Sequence, residues 1–249
     1  MRTLWILFRR EMMAYFFSPI AYVVAVCVLV VMGSSFFMIA LILSREPSEL
    51  SVVQWFFNWM FNWIVMLVVI PVITMRLFAD EKKTGTLETL MTAPLRDWEY
   101  VLAKFFGGFV FYLLLWVPTF LYLFVLRHFA KDTTPLDWGP LIGGYLGVFL
   151  IGMLLVSMGC MASACTRNQI IAAVLTFAMG CTVFFGGIYF YINAADASRN
   201  FFEYFSMPEH MQELSRGTLE WKRVVFYLTG SFFFLFVTHR IVQARQWKS

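Results

Sequence analysis

Charge is what the apolar stretches of this chain lack. Only 14% of its 249 residues are Asp, Glu, Lys or Arg, whereas 61% are hydrophobic, with 29 Phe and 15 Met. An average globular domain carries roughly 25% charged residues. Six apolar runs approach the ~20 residues needed to cross a bilayer core. They cover approximately Pro19 to Leu43, Trp55 to Met75, Phe105 to Leu126, Gly139 to Cys165, Ile170 to Ile192 and Val224 to Thr238, and none contains Asp, Glu, Lys, Arg or His. Intramembrane ionisable groups mark proton relays and ion-coupling sites, so the chain shows no means of drawing on an ion gradient by itself. An intramembrane enzyme, which needs a polar constellation at depth, is disfavoured for the same reason: His128, His210 and His239 lie at run ends or in loops. There is no GxxxxGK[ST] phosphate loop, so no ATP site is expected in this chain. The four cysteines, Cys27, Cys160, Cys165 and Cys181, fall within or at the ends of apolar runs without CxxC spacing and read as small buried hydrophobes. His210 has no second His or Cys near it, so a metal site is not expected.

What is present predicts an all-α polytopic membrane protein, a single domain over residues 1–249 with six transmembrane helices. Six crossings put both termini on one side. That side holds twelve of the 19 Lys and Arg residues and the opposite loops hold seven, which places the termini in the cytosol by the positive-inside rule. The net charge of +4 reflects this bias and does not argue for nucleic acid. The first run exceeds a signal-peptide core and lacks a small-residue cleavage site, so it is expected to stay in the protein. Ahead of it, residues 2–18 place Leu4, Phe8, Met12 and Tyr15 on one helical face with Arg2, Arg9 and Arg10 roughly opposite. That fits a helix in the cytosolic interface ending at Pro19, or an extension of the first crossing.

Within the second run, Trp55, Trp59 and Trp63 recur every fourth residue, and Asn58 and Asn62 share a neighbouring face. The amides suit helix association or a polar pathway. Gly143 and Gly147 form a GxxxG, continued as small-xxx-small by Gly159 and Ser163. This spacing predicts close helix packing, with a neighbour in the same chain or in a second copy. The short turn Cys165 to Gln169 makes crossings four and five an antiparallel hairpin. In the outer loop, 193–223, Pro208 at a helix start, Met207, Met211 and Leu214 on one face, and Gly217 as a stop predict a short amphipathic helix against the membrane.

The segment 76–104 packs charge between two apolar runs. In "DEKKTGTLETLMTAPL", Gly85 can break the descending helix and Thr86 can cap a new one. Leu87, Leu90 and Met91 then form an apolar stripe, with Glu88 in the favourable first turn. Pro94 ends the element, and Asp97 is expected to cap the next helix. By pattern alone this fits either a force-transmitting transverse helix or an ordinary interfacial one.

The same residues resemble the cytosolic segment after the second crossing in ATP-binding-cassette (ABC) type-2 permeases, Glu-Lys/Arg-x-x-Gly-Thr-x-Glu-x-Leu followed by Pro. Glu81, Lys82, Gly85, Thr86, Glu88, Leu90 and Pro94 match it. "RREMMAYFFSPIAY" and "FFEYFSMPEHMQELSRGTL" extend the likeness towards gliding-motility and nitrous-oxide-reductase-maturation type permeases, with Ser215, Arg216 and Gly217 matching a Ser-Arg-Gly element. The resemblance implies a permease subunit, an exporter, in a bacterial inner membrane, working as a homodimer or with a paralogue. ATP and Mg would be bound by a separate ATP-binding cassette subunit, with no cofactor in this chain. Glu81, Lys82, Lys83, Gly85, Thr86, Leu87, Glu88, Leu90, Met91 and Pro94 would form the coupling helix that docks on that subunit. Asn58, Asn62, Gly143 and Gly147 would serve the pathway or helix packing, and Met211, Arg216 and Gly217 an outer gate. The rival reading is a membrane anchor or mechanotransmission subunit of an ATPase complex without transport.

Overall fold

The computed structural model describes residues 2–45, 51–85, 96–129, 138–193 and 204–246. In chain order, α1 is Arg2–Phe16, α2 Pro19–Arg45, α3 Val52–Asn58, α4 Met60–Thr74, α5 Ala79–Thr84 and α6 Asp97–Trp116. A short 3₁₀ turn, Val117–Thr119, leads to α7, Phe120–Phe129, followed by α8 Trp138–Cys165, α9 Gln169–Asn193, α10 Met207–Ser215 and α11 Trp221–Gln246. Among the described residues, six stretches are long and apolar enough to cross a membrane: Pro19–Arg45, Met60–Thr84, Asp97–Tyr122, Trp138–Cys165, Gln169–Tyr189 and Trp221–Ala244. The expected all-α architecture with six spans is therefore what the chain adopts.

The second, third and fourth spans are mostly buried, whereas the first, fifth and sixth keep most of their surface outward. At the centre stands α8, which touches α4, α6, α9, α10 and α11. Lipid tails are as apolar as leucine, so helices in a bilayer are held by close packing more than by apolar burial, and small residues permit it. A Cβ at Gly152 would lie 2.1 Å from the Tyr112 ring on α6, and one at Gly159 would lie 2.3 Å from the Thr74 hydroxyl on α4. At Gly143 it would fall 1.8 Å from the Leu214 carbonyl oxygen, and at Gly147 2.7 Å from the Met211 sulfur. The GxxxG of α8 thus seats α10 of the same chain. The apolar side of α10, with Met207, Met211 and Leu214 buried, faces protein where the sequence suggested a membrane surface.

Element boundaries depart from expectation in three places, each with a local cause. The second run is not one helix: Trp59 takes an extended conformation between α3 and α4, which interrupts the tryptophan stripe. The Asn62 amide donates to the Phe56 carbonyl next to that break, which also accepts from the Trp59 N–H, and so ties α4 back to the end of α3. The sixth helix starts at Trp221, earlier than its apolar run, because the buried Arg223 is neutralised by Glu213 and Glu220 and donates to the Glu209 carbonyl at 3.3 Å. Arg96, not Asp97, occupies the cap position of α6, and Asp97 lies in the first turn with Glu99, where the helix dipole favours acids.

The N-terminal helix is separate from the first span, broken at Phe17 and Ser18 with Pro19 opening α2. It lies along α6. A Cβ at Gly107 would come 2.9 Å from Cβ of Glu11, and Tyr15 stacks on Phe111 at 4.7 Å while donating to the Ile73 carbonyl at 2.9 Å. The hairpin between α8 and α9 forms as expected, with the Asn168 side chain accepting from the Ile170 N–H at 2.9 Å.

Gly143→Val is expected to push α10 off α8, an overpacking cost of about 1–3 kcal/mol, read as a lower thermal midpoint of the detergent-purified protein. Gly186→Ala, where a Cβ meets nothing within 4 Å, is the control expected to leave the midpoint in place. Equal midpoints for the two variants would contradict this packing.

Candidate functional site

The charged segment after the second span begins with a turn. Helix α4 ends at Thr74, the backbone turns over residues 75–78, and α5 restarts at Ala79. Such a restart leaves N–H groups without helical acceptors. Ser163 of α8 supplies one: its hydroxyl accepts from the N–H groups of Phe78 and Ala79 at 3.0 and 3.1 Å and donates to the Met75 carbonyl at 3.1 Å. The small-xxx-small position is therefore also a polar clamp. Gly85 then closes α5 in the left-handed region, φ 74°, which glycine adopts without steric cost. The expected break is where the sequence placed it.

Four other helices hold α5 through side chains. Glu81 accepts from the Tyr100 hydroxyl of α6 and pairs with Lys104 of α6 at 3.0 Å and Arg10 of α1 at 2.6 Å. Lys104 and Arg10 also each reach Glu11 at 3.1 Å, joining two acids and two cations in one network. The Lys104 ammonium further lies 5.5 and 5.3 Å from the ring centres of Phe78 and Tyr100, a favourable cation–π placement. Lys82 is buried and donates to the Ala164 carbonyl at the end of α8. Asp80 accepts from the Gln169 amide at 2.6 Å, reaching the first residue of α9. The Arg10 guanidinium titrates above its ordinary value: partial burial opposes the charge, and the hydrogen bond to Glu11 and attraction to Glu81 outweigh it.

The structure thus turns Glu81 and Lys82 inward, into contacts within the chain, and leaves Lys83 and Gly85 exposed. Thr86, Leu87, Glu88, Leu90, Met91 and Pro94 lie outside the described residues. Sequence reasoning missed Arg10, Glu11, Tyr100 and Lys104 as members of this cluster. The signal was available: Glu11 falls seven residues after Leu4 and four before Tyr15, on the apolar face of α1, and Lys104 abuts the third run. A charge on an apolar face calls for a buried partner.

At the opposite end, Asn58 donates to the Gln54 carbonyl at 2.8 Å and to the Ser215 hydroxyl of α10 at 2.9 Å. Met211 is fully buried against Gly147. Gly217 has φ 83°, with its backbone against Gly139. Arg216 is exposed and, with Trp55, Asn58, Trp59 and Gln212, lines a pocket of about 290 Å³. His210 is buried and bonded through Nδ1 to the Tyr227 hydroxyl at 2.8 Å. Asn58 and Asn62 both make helix-joining contacts, as do Gly143 and Gly147.

Six apolar spans with a buried central helix define the fold of a polytopic membrane permease. Residues 48–207, more than half of the chain, match the ABC-2 family transporter protein family, and the chain belongs to that family. The match runs from ahead of α3 to the first residue of α10 and includes the whole charged segment. No curated protein matches the sequence.

Lys104→Met leaves Glu11 and Glu81 facing each other with only the half-exposed Arg10. Removing one partner of a buried pair costs about 3–5 kcal/mol, and a fall of that order is expected in the unfolding free energy of the purified protein. Arg10→Gln, which removes the half-exposed cation and leaves Lys104 on both acids, is expected to cost under about 1 kcal/mol. A smaller loss from Lys104→Met than from Arg10→Gln would contradict the network as described.

Proposed function

We propose that this chain is the membrane-embedded permease subunit of an ATP-driven exporter, and that residues 86–95, leaving the rigidly held α5, engage a separate ATP-binding subunit on the cytosolic side. The observation that carries the reading is the anchoring of α5. A push on the segment after Gly85 reaches α1 and α6 through Glu81, α8 through Lys82 and Ser163, and α9 through Asp80. A mechanical input at this point therefore moves several spans together, as a transporter whose six apolar runs carry no charge would need.

Membership of the ABC-2 family supports the pairing, since such permeases work with ATP-binding subunits. The apolar stripe of Leu87, Leu90 and Met91 would seat in a groove of that partner, with Glu88 and the exposed Lys83 setting its orientation. With Glu81 and Lys82 occupied inside the chain, their contribution is to hold the segment. Within that family, the sequence resemblance to gliding-motility and nitrous-oxide-reductase-maturation type permeases supports a role of that kind. The outward apolar faces of the first, fifth and sixth spans leave room for lipid and for a second permease copy. Met211, Arg216 and Gly217 would belong to the outer gate, where α10 caps α8.

Leu90→Asp is expected to weaken subunit association by about tenfold or more, because truncated apolar anchors cost upward of about 1–2 kcal/mol, and to abolish coupled ATP turnover while the permease stays folded. Unchanged transport and association in that variant would remove the coupling assignment. ATP turnover that responds to Leu90→Asp with no substrate ever moved would favour the mechanotransmission reading. For sidedness, a cysteine at position 83 is expected to react with an impermeant maleimide only in opened cells. Labelling in intact cells would reverse the orientation.

A further inference from the structure

Beside the α5 network, a cavity of about 370 Å³ opens between α1, the start of α2, the end of α4, α5 and α6. That volume lies in the range of ligand sites, roughly 300–1,000 Å³. Its lining is graded. Arg76, Asp80 and Lys104 stand at the end near the charged segment. Val72 lies one turn of α4 deeper than Arg76, Phe111 lies about 10 Å further along α6 than Lys104 at 1.5 Å per residue, and Val24 is on the second turn of α2.

The charges at the polar end are not equally satisfied. Glu11 and Glu81 are paired with Lys104 and Arg10, and Asp80 accepts from Gln169. Among the described residues Arg76 has no ion pair. One of its terminal nitrogens, Nη1, donates to the Ser18 hydroxyl at 2.9 Å, while its Nε is buried without a hydrogen-bond partner. A buried guanidinium N–H without an acceptor is costly, and the planar fork of arginine matches phosphate oxygens. A free phosphate would satisfy Arg76 but leave the wall of Val24, Val72 and Phe111 uncovered. An acyl chain attached to that phosphate covers both.

We propose that this cavity binds a phospholipid from the leaflet on the α5 side, its phosphate on Arg76 and one acyl chain along α2 and α4. This site is independent of the proposed coupling role. It would add a lipid contact to the same face of α1 that meets α5 and α6, so that lipid composition bears on how firmly α5 is held.

Native mass spectrometry of the full-length protein, delipidated in detergent and titrated with phosphatidylglycerol or chain-matched diacylglycerol, tests it. One phosphatidylglycerol per chain is expected, held about tenfold more tightly than the diacylglycerol, which lacks the phosphate, the ratio that a single charge-assisted contact supplies. Arg76→Gln is expected to erase the preference, and Val24→Phe, which fills the apolar end, to lower binding of both lipids. Should Arg76→Gln fail to fold, Val24→Phe and the ratio between the two lipids decide. Equal retention of the two lipids, or wild-type retention in Val24→Phe, would overturn the proposal. Displacement of phosphatidylglycerol by millimolar inorganic phosphate alone would overturn the lipid assignment in favour of a simple anion site.

Discussion

A charge drawn into a mostly apolar body has to be met there by another, and the arrangement of Glu81 follows from that constraint. It sits at the end of the second span, where the chain leaves the apolar body, and two cations from two helices and one phenol converge on it. Lys104 is as buried as a core leucine, and its ammonium stands between Glu11 and Glu81. Without these pairs each group would carry a desolvation penalty of several kcal/mol. With them, α1, α5 and α6 are fixed to one another at the point where the chain turns out of the membrane.

The same junction depends on a second economy of groups. The turn between α4 and α5 frees backbone N–H donors, and a single hydroxyl on α8 satisfies two of them. Because α8 also receives α10 at Gly143 and Gly147 and α6 at Gly152, it runs from the charged junction to the opposite end of the molecule in direct contact with both. A displacement of α5 therefore has a continuous packed route to the helix that covers the far side. Close packing at glycine makes that route stiff, since neither neighbour can shift without collision.

Much of this was legible in the sequence. Run lengths gave the six spans, the Gly85 break and the α8–α9 hairpin, because each rests on a local rule of length, left-handed backbone or short connection. The short helix after Pro208 was legible for the same reason, and so was the close packing at Gly143 and Gly147, though not its partner. What remained hidden depends on residues far apart in the chain. Asn62 donating to the Phe56 carbonyl, Arg223 lengthening the last helix and Arg10, Glu11 and Lys104 meeting Glu81 follow from which helices become neighbours, and periodicity carries no record of that. The inward turn of Lys82 is of this kind: a lysine in a charged run reads as solvated until the Ala164 carbonyl is found beside it.

The central claim is that an ATP-binding subunit grips this chain just beyond α5, and it is tested most directly by a photo-crosslinking amino acid at position 88 in cells that make the native assembly. After irradiation, the account predicts one dominant adduct whose second member is a protein with a phosphate-binding loop, diminished when the stripe residue Leu87 is made polar. Adducts with lipid only, or with no nucleotide-binding protein, would contradict it.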